Sequence, residues 1–335
     1  MAQNGVRIGL FGATGGLGTE VLVALDASSL RIASIRPMAT EASLGRDVEF
    51  QGELYPVETD PSRGFAGLDL VICCAPREAA LDCVRQALKA EVPCIDCSGA
   101  VAESPDVPQR VARLPGPDEI ATAPLISSPA GPALAWALVL APLHARAGLC
   151  AVVGTALEAA SAAGRPAIDA LYVESLALFN QEDAPAPEHI GQPLAFDCLG
   201  SVGAPEDQAA TRHEALIVAG LRRLLGAELA VTVTSAHVPT FVGHAAHLVV
   251  SSEAPLDAKE ATDLLAQAPG VELWTAGAGG PNMRAAAGRD VVLVGRIRGD
   301  DTPARALQLW LVADPLRLAA TNAVALAALR LAGSA

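Results

Sequence analysis

Val6-Arg7-Ile8-Gly9-Leu10-Phe11 runs directly into Gly12-Ala13-Thr14-Gly15-Gly16-Leu17-Gly18 and then into Thr19-Glu20-Val21-Leu22-Val23-Ala24-Leu25. The opening run is short and mostly apolar, of strand type; seven residues rich in glycine follow, and then a helical pattern. Strand, glycine turn and helix in that order are the context a dinucleotide fingerprint requires. The glycines let the turn close tightly and let backbone amides approach a pyrophosphate at the helix amino end. The contact points predicted for a dinucleotide are Gly12, Thr14, Gly15, Gly16, Leu17 and Gly18.

Working outward, Leu30–Ile35 reads as a second strand that ends in Ser34-Ile35-Arg36. An NAD-preferring unit usually places Asp or Glu there to hold the ribose 2′-hydroxyl; a hydroxyl and a guanidinium instead suit a 2′-phosphate. NADP is therefore expected over NAD. Leu68–Cys73 is a buried strand, Glu78–Ala90 a helix and Cys94–Cys97 a further strand, the alternation of a doubly wound parallel sheet. Pro115–Ala130 reads as a connection between domains. Beyond it come the helix Pro132–Leu143, then strand-like runs at Cys150–Glu158, Ala230–Val238, Ala246–Ser251, Val291–Arg298 and Leu307–Val312. Helices are expected at Gln208–Leu225 and Leu256–Gln267, which makes the second domain α+β with a large mixed sheet. A last helix, Arg317–Leu331, returns to the first domain. The domain expectation is 1–130 with 317–335, and 131–316.

Composition bounds the function. The chain has 335 residues, enough for two domains, with 51% hydrophobic and 18% charged residues. A net charge of -14 argues against nucleic acid and against docking on an anionic membrane. No segment reads as a membrane span or a signal peptide, so a cytoplasmic location is expected. Seven cysteines lack the spacing of a zinc site, and no metal is expected even at His237, His244 and His247.

Several further motifs occur in order along the chain: Ile95-Asp96 with Ser98, Pro105-Asp106-Val107-Pro108 and Ala141-Pro142-Leu143-His144-Ala145. Val238-Pro239, Gly243-His244, Gly295-Arg296-Ile297-Arg298, Ala313-Asp314 and Thr321-Asn322-Ala323-Val324 complete the set. Together with the glycine turn they make the chain resemble the aspartate-semialdehyde dehydrogenase family nearly end to end. The resemblance implies a Rossmann-type NADP-binding domain, with Asn322 among the cofactor residues, a dimerisation domain, a homodimer and a link to amino-acid biosynthesis. It also implies covalent chemistry: a cysteine thiolate attacks the carbonyl, hydride passes to or from nicotinamide, and phosphate cleaves or forms the thioester.

Several of the family's working residues are replaced here. Counting back from Pro142-Leu143-His144, the nucleophile's segment reads Ser128-Pro129-Ala130-Gly131-Pro132, so Gly131 stands at the cysteine position. Loss of such a nucleophile lowers turnover on the order of 10⁶-fold, about 8 kcal/mol of barrier. The phosphate-binding arginine falls at Ala102, the substrate arginine at His237 and a pocket glutamine at Glu158, while a glutamate and a lysine are replaced near Gly220 and Leu216. Only His244, the family's acid/base position, is kept. The combination looks like the Usg branch of the family. Three readings follow: an inactive or regulatory NADP-binding homodimer, with a heterodimer beside an active homologue also conceivable; an NADP-linked reductase in which His244 donates a proton and His237 polarises a carbonyl; or thiol chemistry relocated to Cys97.

Overall fold

β1 (Val6–Phe11) stops where its chain must turn sharply, because Gly12 has φ +86° and a Cβ there would lie 2.7 Å from the backbone nitrogen of Ala75. The structure, a computed structural model, describes residues 5–59, 64–116, 118–203, 210–276, 279–299 and 306–333. After the turn comes α1 (Gly16–Asp26), then β2 (Ile32–Met38), a hairpin of β3 (Asp47–Phe50) and β4 (Glu53–Pro56), β5 (Leu70–Cys73), α2 (Arg77–Lys89), β6 (Cys94–Asp96) and β7 (Leu125–Ser127). Five strands form one sheet in the order β2-β1-β5-β6-β7, and every pairing in it is parallel. Apolar clusters cover both faces, Ile8, Leu10, Leu70 and Ile72 facing one and Val71, Cys73, Val84 and Ala87 the other. Burial on both faces is why these strands read as continuous apolar runs rather than alternating ones.

The second part holds α3 (Gly131–Ala147), β8 (Leu149–Glu158), α4 (Arg165–Asn180), α5 (Arg212–Leu225), β9 (Ala230–His237), β10 (His244–Ser252), α6 (Ala258–Leu265), β11 (Val271–Leu273), α7 (Met283–Ala286), β12 (Val292–Gly299) and β13 (Leu307–Ala313). Its six-stranded sheet runs β11-β12-β13-β10-β8-β9 and is mixed: β8–β9 and β11–β12 pair in parallel, the remaining neighbours antiparallel. The last helix, α8 (Pro315–Ala332), completes the chain. By internal contacts the molecule forms two units, residues 1–131 with 319–335 and residues 132–318. The fold is thus a Rossmann-type parallel sheet plus a mixed-sheet domain. No helix among the described residues is long and apolar enough to cross a membrane.

The elements depart from expectation in places that bear on function. The second strand is displaced: it runs from Ile32 to Met38, so Ser34 and Arg36 lie inside it, not at its carboxyl end. Residues 115–130 are not a plain connection, since they contain a 3-10 turn (Asp118–Ala121) and β7, whose three residues are all buried. The 16-residue α4 and the hairpin β3–β4 carried no expectation. Gln208 lies outside the described residues, and the helix expected from it begins at Arg212.

Candidate functional site

The glycine turn is built by close backbone approach. A Cβ on Gly18 would meet the Gly12 carbonyl oxygen at 2.2 Å, so α1 packs onto the turn only without one. Gly15 is the helix N-cap, with no side-chain cap hydrogen bond and no acidic residue in the first turn. The first amides of a helix have no intrahelical partner, and here no carboxylate competes for them. These residues fit a pyrophosphate. Thr14 and Ser43 share a hydrogen bond of 2.8 Å between hydroxyls, which fastens the 3-10 turn Glu41–Ser43 beside the glycine turn.

The other cofactor positions are placed differently from expectation. Phe11 is level with Met38 across the sheet and Arg7 with Ser34, so Ser34 stands roughly 13 Å back from the strand end at ~3.3 Å per residue. A serine side chain cannot span that distance. The Arg36 guanidinium donates through Nε to Glu58 Oε2 at 2.6 Å and through Nη1 to the Gly64 carbonyl at 2.7 Å. Asn322 is 6% exposed and its amide is committed within the same unit. It accepts from the Ala112 amide at 2.8 Å and donates to the Arg110 carbonyl at 3.1 Å and Ser128 Oγ at 2.9 Å. With both amide hydrogens used, Asn322 braces the segments around the sheet end instead of offering donors to a ligand. Cys97 follows β6 and packs, with Cys74, against the apolar cluster. Ala102 is buried in the same unit, and Gly131 begins α3.

In the second unit, one end of the mixed sheet gathers the polar residues. Strand register sets Glu158 on β8 beside both His244 on β10 and His237 on β9. Glu158 Oε1 lies 2.9 Å from His244 Nδ1 and 2.9 Å from His213 Nε2. Trp136 on α3 donates its indole N–H to His244 Nε2 at 2.9 Å. An indole nitrogen can only donate, so His244 Nε2 accepts and Nδ1–H donates to Glu158. Both ring nitrogens are engaged, and His244 is 0% exposed. Burial opposes ionisation of Glu158, but His244 and His213 more than offset it and hold the carboxyl below the usual carboxylate range.

His213 was not singled out from sequence, where Gly220 and Leu216 marked the altered positions of this helix. It stands in the first turn of α5, two residues after the N-cap Thr211. Glu214 completes a capping box with Thr211 and also accepts from the Ser235 amide at 2.7 Å, tying the helix start to β9 and aiming His213 at Glu158. The only sequence signal was the pattern Thr-x-x-Glu, which marks the helix start and not the neighbour of Glu158. His237 is buried, its Nδ1 has no hydrogen-bond partner, and burial pushes its imidazole below the usual value. His247 bonds Gln308 instead of joining His244, since three residues along a strand place them on opposite faces. Among the described residues no group of His, Cys, Asp or Glu has the arrangement of a metal site.

Comparison with known proteins follows the same two-part division. Residues 7–128 match the profile described as "Semialdehyde dehydrogenase, NAD binding domain", and residues 140–318 match "Semialdehyde dehydrogenase, dimerisation domain". The chain belongs to the aspartate-semialdehyde dehydrogenase family. It is 30% identical over 326 residues to the aspartate-semialdehyde dehydrogenase of Rickettsia bellii, covering 96% of each chain. It is 31% identical over 333 residues to the USG-1 protein homolog of Azotobacter vinelandii, covering 97% of each chain. The crystal structure of aspartate semialdehyde dehydrogenase II from Vibrio cholerae, complexed with ASA, superposes with a TM-score of 0.92 at 29% identity, covering 98% of both chains.

Proposed function

We propose that this member of the aspartate-semialdehyde dehydrogenase family binds a nicotinamide dinucleotide and forms a homodimer but does not perform the family's thiol chemistry. The observation that carries the reading is the state of His244: Trp136 occupies Nε2, Glu158 occupies Nδ1, and the ring is shut away from solvent. A proton-transfer residue needs a nitrogen within reach of the reacting group. Gly131, standing where the resemblance puts the nucleophile, supplies no thiol in addition. The dinucleotide, when bound, supplies hydride chemistry; this chain's own residues supply the glycine turn, the uncapped helix end and the fastened Glu41–Ser43 turn.

The same state of His244 opposes direct reduction with His244 as proton donor, because protonating Nε2 breaks the Trp136 bond. It gives no support to a carbonyl-polarising role for His237, whose side chain is equally enclosed. Cys97 lies in the surroundings of a small packed residue. The homodimer reading rests on the dimerisation-domain match and on the sheet face bearing Val153 and Thr155, both exposed on the strand β8.

The test uses purified protein. Titration with NAD and NADP, followed by nicotinamide fluorescence of the reduced forms or by calorimetry, is expected to show binding. Incubation with aspartate semialdehyde, phosphate and either oxidised cofactor is expected to give no absorbance gain at 340 nm. Phosphate-dependent formation of the reduced cofactor overturns the reading.

A further inference from the structure

Beside the carboxyl end of β2 lies a cavity of about 280 Å³, lined among others by Phe11, Arg36, Thr40, Glu41, Glu58 and Phe65. It belongs wholly to the parallel-sheet unit. Its position relative to the glycine turn is fixed by two links: the Gly12 and Ala13 amides both donate to the Met38 carbonyl, at 2.7 and 3.2 Å, and Thr14 holds Ser43. A dinucleotide with its pyrophosphate on the α1 amides extends its adenosine ribose past the end of this strand, the place where a carboxylate reads a 2′-hydroxyl and an arginine reads a 2′-phosphate.

Both residue types are present, and they are bound to each other. Among the described residues that line the cavity, Arg36 is the only cation, against Glu41, Glu58 and Asp82. Its Nε–H is given to Glu58 at 2.6 Å and one Nη1–H to Gly64, and the pair is largely enclosed, the side chains being 15% and 24% exposed. Glu58 is itself anchored through its backbone, its amide donating to the Pro37 carbonyl at 2.9 Å and its carbonyl accepting from Ala39 at 3.0 Å. The carboxylate is therefore not a wandering surface group that a ligand brushes aside.

We propose that Glu58 sets cofactor choice in this chain: by holding Arg36 it withholds the guanidinium from a ribose 2′-phosphate, and the cavity selects the unphosphorylated dinucleotide, NAD. The proposal rests on the reading that the glycine turn binds a dinucleotide. A 2′-phosphate entering here brings nearly two negative charges towards Glu41 and Glu58 and competes with Glu58 for Arg36, whose Nε–H is already held in a short charge-assisted pair. A 2′-hydroxyl meets no such repulsion and can donate to a carboxylate. Discrimination arises from the repulsive element as much as from the attractive one. This reverses the preference read from Ser34 and Arg36 as neighbouring residues in the sequence: one stands too far back on the strand, and the other is already paired.

The test is the ratio of dissociation constants for NAD and NADP, measured by calorimetry on the full chain, for wild type and Glu58→Gln. The glutamine keeps size and hydrogen bonding while removing the charge that holds and neutralises Arg36. Wild type is expected to bind NAD at least as tightly as NADP, and Glu58→Gln to shift the ratio towards NADP by about tenfold or more, about 1.4 kcal/mol. A ratio unchanged within twofold overturns the assignment to Glu58 while leaving dinucleotide binding intact. Failure of wild type to bind either nucleotide at millimolar concentration overturns both readings. Should Glu58→Gln not fold, the wild-type ratio still decides: NADP bound more than tenfold tighter than NAD overturns the proposal, and NAD bound at least as tightly upholds it.

Discussion

At Gly154 the side chain is missing where the indole of Trp136 needs the room: an added Cβ would lie 2.2 Å from the ring. The two residues are matched across the α3–β8 contact, and the match is what brings the indole N–H to His244. Gly154→Ala is expected to destabilise the protein by about 1–3 kcal/mol through overpacking. Melting temperatures check it, and Trp136→Leu in the same chain should relieve much of the loss; equal losses with and without the tryptophan would refute the coupling. His237 gives a pH dependence. Burial holds its imidazole below the usual 6.5, so near that pH the unfolded chain takes up a proton that the folded chain refuses. Its contribution is fully present above the ordinary histidine range and is lost as pH falls through it, with a slope of at most about 1.4 kcal/mol per pH unit. A thermal melt series from pH 7.5 to 5.5 should be steeper for wild type than for His237→Gln. Among these residues, His237, Glu158 and His244 were legible in sequence as altered or retained positions. Trp136 and His213 were not, because one reads as another apolar residue of a buried helix and the other as a polar residue in a helix's first turn; only the fold brings them to the same carboxylate and imidazole.

Asn322 shows how an element is held rather than how a ligand is bound. It sits on α8 and joins three points at Arg110, Ala112 and Ser128. Asn322→Ala removes the partner that Asn322 gives to the Ser128 hydroxyl, in a residue 0% exposed, and to the Ala112 amide. A loss of about 2–4 kcal/mol is expected, at ~1–3 kcal/mol for each fully buried polar group left unsatisfied. Urea unfolding followed by circular dichroism measures it, and a change under 0.5 kcal/mol, roughly the scatter of surface substitutions, would show that water replaces the amide. The long periodic elements α1, α2, α5 and α8 were readable from sequence because a buried stripe repeats over several turns. β7 was not: three residues give no period, and Pro124 and the serines around it look like a loop. The hairpin of β3 and β4 escaped for a different reason. Its turn, Gln51-Gly52, has φ of 52° and 78°, and glutamine at the first of those positions carries none of the usual Asn or Asp signal. β2 was found but ended too early, because Pro37 looks like a terminator; on an edge strand a proline is tolerated, since its missing N–H has no ladder to leave.

For the molecule as a whole, the mixed sheet has one face packed against α3 and another on which Val153 and Thr155 on β8 and Thr232 and Thr234 on β9 stay exposed. A homodimer that buries this face is expected to run at twice the mass of one chain by sedimentation equilibrium. Val153→Arg with Thr155→Arg should convert it to monomer without changing the far-ultraviolet circular dichroism; a dimer that survives both substitutions places the interface elsewhere. The order of the whole fold, a parallel sheet first and a mixed sheet after it, was readable because fully buried strands and half-buried strands pattern differently. The discontinuity of the first unit has its own consequence in synthesis. Ala320, Ala323, Leu326 and Ala327 on α8 fill the core of strands made from the first 131 residues. That core therefore waits, one side uncovered, while residues 132–318 leave the ribosome, an interval of roughly 10–40 s at ~5–20 residues per second. During it the nascent chain carries an apolar cleft that its own last helix must reach before a chaperone or another nascent chain does.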